Sequence, residues 1–182
     1  MRLLAISGSL RRGSYNAALL DAAAAECPAA GEFVVWRGLA DIPAYDEDID
    51  TMPPPLPVAA LRAEIERADA VLIATPEYNA SVPGALKNAL DWASRPYVTN
   101  VLRNKRVAVI GASTGLFGAL AAQAELRKVL KVIGATVLEG ALPVPVAHTA
   151  FSAYGRLREP ELALALRRTV HELLEQTVER AA

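Results

Sequence analysis

The chain of 182 residues holds one cysteine, Cys27, and two histidines, His148 and His171. A lone thiol excludes an internal disulfide, and one thiol with two imidazoles is too few to close a zinc site. Basic and acidic residues nearly cancel, 19 against 20, with no long block of either sign. That balance argues against a nucleic-acid partner and against a polybasic membrane contact. No apolar run approaches the ~18 residues of a membrane span. The opening run Leu3-Leu4-Ala5-Ile6 is too short for the apolar region of a signal peptide and leads straight into Gly8. These absences point to a soluble, cytoplasmic chain with no metal centre.

What the sequence has instead is apolar bulk. Hydrophobic residues make up 53 % and the mean hydropathy is +0.23, rather apolar for a monomer, so a partner copy is expected to cover some of the surface. The length suits a single domain over residues 1–182. Apolar runs of strand length occur at 3–6, 33–36, 70–74, 107–110 and 135–138, separated by segments of helical period. The helix candidates are 15–26, 58–68, 83–94 with Pro83 at the first position, 116–131 and 160–179. Leu116, Leu120, Leu126 and Leu130 are expected to face inward on the fourth. Leu162, Leu166, Val170, Leu173, Leu174 and Val178 form a sheet-packing stripe on the fifth. Such alternation predicts an α/β protein with a doubly wound parallel sheet.

Residues 39–57 break the pattern. Asp46, Glu47, Asp48 and Asp50 are followed by Pro53, Pro54, Pro55 and Pro57, so the stretch is neither strand nor helix throughout. It reads either as a solvated crossover or as a rim to a pocket mouth.

Three short loops each follow an apolar strand: Gly8–Asn16, Thr75–Gly84 and Gly111–Gly118. With those strands parallel and adjacent, all three open at one carboxyl edge, where open α/β sheets bind ligands. Ser9, Arg11, Ser14 and Asn16 offer hydroxyl, guanidinium and amide donors beside the free N–H groups of a helix start, a combination suited to a phosphate. The Walker spacing of Gly8 and Gly13 lacks its lysine, since Ser14 and Tyr15 stand where Lys and Ser/Thr belong. The three-glycine dinucleotide fingerprint is absent as well. Pro76-Glu77-Tyr78-Asn79 brings a stiff backbone, an aromatic plane and an amide, which suit a flat heterocycle. Gly111-Ala112-Ser113-Thr114-Gly115 lets a ring approach the backbone closely. Ser14 as a plain helix cap and Tyr78 as a sheet-edge side chain are the blander alternatives.

Taken together, GSLRRGSYN, PEYNASVPGALKNALDWASRP and GASTGLFGALAAQAELRKVL resemble the NADPH-dependent FMN reductase family of the flavodoxin-like fold. The likeness runs from residue 3 to about 142. It implies a three-layer sandwich whose five-stranded parallel sheet has the order 2-1-3-4-5, with helices on both faces. It implies FMN as cofactor, its phosphate held by Ser9, Arg11, Ser14 and Asn16. Pro76, Glu77, Tyr78 and Asn79 would line the isoalloxazine edge, and Ser113 and Gly115 would close from the other side. NADPH would be the reductant and quinones, free flavin or similar small molecules the acceptors, in ping-pong order with no catalytic side chain required. Pairing through Leu86–Trp92 would give a homodimer or homotetramer. The chain departs from the family pattern at Ala121, where a basic residue often precedes the Ala122-Gln123 pair.

Two other readings compete. Gly111-Ala112-Ser113-Thr114-Gly115 also satisfies the nucleophile elbow of serine hydrolases, with Glu139 and His148 as the ordered partners of Ser113. A flavin-binding electron carrier or redox sensor would keep the fold but need a docking surface, which the balanced charge disfavours. No cluster of arginines for a 2′-phosphate is evident along the chain, so the preference for NADPH over NADH comes from the resemblance alone. His148, His171, Trp36 and Trp92 read as surface or packing residues.

Overall fold

The computed structural model describes residues 1–178. Six strands, β1 (Arg2–Ser7), β2 (Glu32–Trp36), β3 (Ala70–Ala74), β4 (Arg106–Ala112), β5 (Thr136–Val137) and β6 (Leu142–Val144), form one sheet. Its order is β2-β1-β3-β4-β5, every pairing is parallel, and β6 also pairs with β4. Among the described residues six α-helices surround it: α1 (Tyr15–Ala24), α2 (Leu56–Arg67), α3 (Gly84–Ala93), α4 (Leu120–Ile133), the short α5 (Ala147–Ala150) and α6 (Pro160–Val178).

The three layers follow from the pleat, because successive side chains of a strand point to opposite faces. Leu3, Ala5, Leu72, Ala74, Ala108 and Ile110 pack with Leu19, Leu20 and Ala23 of α1 and Leu166, Val170 and Leu173 of α6. Their neighbours Leu4, Ile6, Val71, Ile73, Val107 and Val109 pack with α2, α3 and α4. With both faces covered, β3 is buried at all five positions. A continuous apolar run, rather than an alternating one, is therefore the correct signature of this strand.

Some expectations about the elements need correction. The fifth sheet position is not one strand over 135–138. It is two pieces, Thr136–Val137 beside Arg106–Val107 and Leu142–Val144 beside Ile110–Ala112. Gly140, at φ 92, lies in the break, and Pro143 is tolerated because this is the sheet's edge. Next, α4 begins at Leu120 rather than 116. Gly118 and Ala119 both have positive φ, so 116–119 is a turn that leaves Leu116 79 % and Phe117 76 % exposed, with Leu120 outward too. A Cβ on Gly118 would meet the Val144 nitrogen at 2.6 Å, so the close approach of this turn to β6 requires glycine.

Leu86, Leu90 and Trp92 of α3 face the core, so within 86–92 the outer face of the helix is formed by Lys87, Asn88 and Asp91. Pro83 precedes α3 as its cap rather than opening it. The stripe on α6 is seen at Leu166, Val170, Leu173 and Leu174. The expected last helical position, 179, and the side chain of Val178 lie outside the described residues.

Residues 38–55 cross from β2 to α2 with 46–49 and 51–53 exposed; they do not line the pocket between the three loops, and the segment is tied down at several points. Pro43 O accepts from Asn88 Nδ2 and Trp92 Nε1, both at 2.8 Å, and the Tyr45 N–H donates to Asn88 Oδ1 at 2.7 Å. Asp50 pairs with Arg62 at 3.0 Å with both side chains largely covered. The Tyr45 hydroxyl accepts from Arg95 Nε at 3.0 Å and, with nearby carboxylates, holds that guanidinium more firmly protonated. The Tyr45 ring meets Trp92 edge-on at 4.9 Å. The segment is a strap tied across α3.

Candidate functional site

The order β2-β1-β3 reverses direction between β1 and β3, and open sheets leave a crevice at such a switch point. A cavity of about 390 Å3 lies there. Ser9, Arg11, Ser14, Tyr15 and Asn16 line it from the loop after β1, Pro76, Glu77 and Tyr78 from the loop after β3, and Ala112, Ser113 and Thr114 from the end of β4. Eight of the ten residues singled out in the sequence thus surround one space. Asn79 and Gly115 are not in the lining, and Tyr15, Ala112 and Thr114 are additions.

At the start of the first loop the Gly8 N–H donates to Ala74 O at 2.8 Å. A Cβ there would meet Leu86 Cδ2 at 2.8 Å, so its bareness lets α3 close up beneath the loop. Above it, Ser14 caps α1: its Oγ accepts from the N–H groups of Asn16 at 3.2 Å and Ala17 at 3.3 Å. A serine that only accepts keeps its hydroxyl proton free to donate to an anion. The N–H groups of Gly13, Ser14 and Tyr15 find no acceptor among the described residues. They stand at the positive end of α1. Arg11 folds over this end, donating to Gly13 O at 2.9 Å, with its guanidinium 5.0 Å from the centre of the Tyr15 ring.

Asn16 has a different task from the other three. It is 2 % exposed, its Nδ2 donates to Ala112 O and its Oδ1 accepts from the Ala112 N–H, both at 2.9 Å. Its amide therefore fastens α1 to the end of β4 across 96 residues of sequence. Gln123, fully buried, does the same for the far side. It donates to Gly118 O and Leu142 O and accepts from the Leu142 N–H.

Glu77 is engaged too. Its Oε2 accepts from the Ala122 N–H at 3.1 Å, in the first turn of α4. The capping position of that helix, Ala119, has no side-chain acceptor of its own, so the loop after β3 supplies one, where a carboxylate is favoured by the helix dipole. Tyr78 and Ser81 exchange backbone hydrogen bonds at 3.0 Å around Asn79 and Ala80, at φ 53 and 59. This is a tight hairpin of the kind that needs two left-handed residues. Asn79 sits at its exposed tip, which takes it out of the lining.

Ser113 is held by backbone bonds to Val144 O and from the Ala147 N–H, and its Oγ accepts from the Gly115 N–H at 3.1 Å. No histidine or carboxylate hydrogen-bonds to Ser113 among the described residues. Glu139 pairs instead with Lys131 at 2.7 Å, which lowers the carboxyl's proton affinity, and His148 is exposed on α5. The hydrolase triad is not assembled.

A wholly parallel, doubly wound sheet with a ligand-sized cavity at its switch point defines a flavodoxin-like protein. The chain belongs to the NADPH-dependent FMN reductase family, whose sequence model matches residues 1–149. It is 43 % identical over 158 residues to an NAD(P)H-dependent FMN reductase of Pseudomonas aeruginosa, covering 86 % of this chain and 84 % of that one. A quinone reductase of Escherichia coli is 40 % identical over 139 residues, 76 % of this chain and 73 % of the other. Among solved structures, the flavoenzyme NAD(P)H:(acceptor) oxidoreductase of Paracoccus denitrificans superimposes with a TM-score of 0.84 at 35 % identity. The match covers 98 % of this chain and 97 % of that one. Among the described residues no helix is long and apolar enough to cross a membrane.

Proposed function

We propose that this chain, acting as a single domain, is an FMN-dependent oxidoreductase that moves two electrons from NAD(P)H to a quinone, free flavin or similar small acceptor. The observation that carries this reading is the pairing, in one cavity, of a donor-rich helix end with Pro76, Tyr78 and Ala112 from the neighbouring loops. Free N–H groups, two serine hydroxyls and a guanidinium match a phosphate monoester. The one carboxylate in the lining, Glu77, is already engaged by α4, so it opposes an anion less than a free one would. Pro76, Tyr78 and Ala112 offer surface for a planar ring.

In this reading Ser9, Arg11 and Ser14 grip the phosphate. Asn16 acts on the other side of the pocket, by fixing Ala112 against the ring. Pro76 and Tyr78 flank the ring edge, with Glu77 holding their loop in place and Asn79 stiffening its tip. Ser113 and Thr114 close the opposite side, and Gly115 serves by orienting Ser113. FMN held there would supply the two-electron redox chemistry. No side chain is asked to act as acid, base or nucleophile.

The lone cysteine and the absence of a membrane-crossing helix among the described residues support a cytoplasmic setting. Self-association as a homodimer or homotetramer belongs to the same reading. Leu116, Phe117 and Leu120, close in sequence to the pocket residue Thr114, give it an exposed apolar surface. Sedimentation of a Phe117→Asp variant checks this by its shift toward monomer.

The test of function is a titration of the purified chain with FMN, followed by NADPH oxidation in the presence of a quinone. Saturable uptake, turnover well above free FMN and parallel lines in two-substrate rate plots are expected. Uptake without turnover would make the chain an electron carrier, and no saturable uptake would overturn the reading.

A further inference from the structure

A second cavity, of about 270 Å3, lies on the other side of the loop after β1, against the carboxyl end of β2 and one side of α1. Ser9, Arg11 and Ser14 line both cavities, so this loop is a wall they share. Beyond the wall three arginines line the space, Arg11 and Arg12 from the loop and Arg37 from the residue after β2. Arg12 and Arg37 have no hydrogen-bond or ion-pair partner among the described residues, while other exposed arginines such as Arg67 and Arg167 do. Cationic forks left uncompensated at a concave mouth favour a phosphate.

Asp21 and Trp36 line the same space. A carboxylate opposes a bare anion, so inorganic phosphate alone matches the cavity poorly. A ligand that brings phosphate to the arginines, a hydroxyl or amine to Asp21 and an aromatic plane to Trp36 satisfies all of them. An adenosine phosphate has these three parts.

We propose that this second cavity takes the adenosine 2′-phosphate end of NADPH, and that Arg12 and Arg37 set a preference for NADPH over NADH. The proposal rests on the reading of the chain as an NAD(P)H oxidoreductase. The fold assembles the cluster from segments 25 residues apart (37 − 12), which is why it is invisible along the sequence.

The test is calorimetry of the full chain with adenosine 2′,5′-bisphosphate, before and after loading with FMN, in the parent and in Arg12→Ala and Arg37→Ala. Saturable binding is expected in the parent, weakened about tenfold by each substitution. The KM for NADPH should rise by a similar factor, while the KM for NADH and the Kd for FMN stay unchanged. Adenosine 5′-monophosphate, lacking the 2′-phosphate, should bind more weakly and ignore both substitutions. The proposal is overturned if the bisphosphate does not bind, if both variants bind it like the parent, or if NADPH and NADH suffer alike. Failure of the oxidoreductase reading would appear separately, as absence of saturable FMN uptake, and leaves the calorimetry readable.

Discussion

Two polar loops leave the same edge of the sheet, one after β1 and one after β2, and they use their polar groups in opposite ways. In the strap of residues 38–55, carbonyl, amide, carboxylate and phenol groups are matched by Asn88, Trp92, Arg62 and Arg95. In the loop after β1, three successive N–H groups at a helix start and much of the Arg11 guanidinium remain unmatched. A loop whose donors are internally satisfied is architecture, and one whose donors are left over is a receptor. Polarity alone does not distinguish them.

The strongest way to break this contrast is to remove the anchor of the strap. Trp92→Ala deletes a fully buried ring and the donor to Pro43 O, and should cost about 3–5 kcal/mol, seen as a lower urea midpoint. The fraction that remains folded should still bind FMN with the parent Kd, and a collapse of that affinity would erase the distinction. Asn16→Ala probes the one residue that belongs to both kinds. It strands the buried N–H and C=O of Ala112, costing about 2–4 kcal/mol, and should loosen FMN as well because Ala112 lines the cavity.

Arg11→Ala should show the receptor side alone. A rise of about tenfold or more in the Kd for FMN is expected, with stability changed by no more than about 0.5 kcal/mol. Equal losses in affinity and midpoint would assign Arg11 to the architecture instead. The smallest effect concerns the hairpin tip. Ala80→Gly relieves a left-handed alanine at φ 59 and should raise stability by up to about 1 kcal/mol, partly offset by a freer unfolded chain. An unchanged or lower midpoint would mean that the tip stores no strain.

The sheet was legible because its strands are apolar runs and its helices carry an inward stripe, both local signals. The piece Leu142–Val144 was not, since three residues flanked by Pro145 and centred on Pro143 carry no period at all. Leu116 continues the spacing of Leu120 and invites an early helix start, but the left-handed backbone at Gly118 and Ala119 forbids it. The candidate site was legible as three loops at one edge. What individual side chains do there was not, because the partner of Asn16 lies 96 residues away and that of Glu77 lies 45 away. The ties of the strap were hidden for the same reason, its anchors Asn88 and Trp92 being some 45 residues downstream.

The bond from Glu77 to the Ala122 amide joins the loop after β3 to the helix that carries the turn after β4. Two of the three sides of the cavity are in this way one mechanical part, and a displacement of either drags on the other. Slow exchange of the Ala122 amide with solvent would be the sign that the two sides move together.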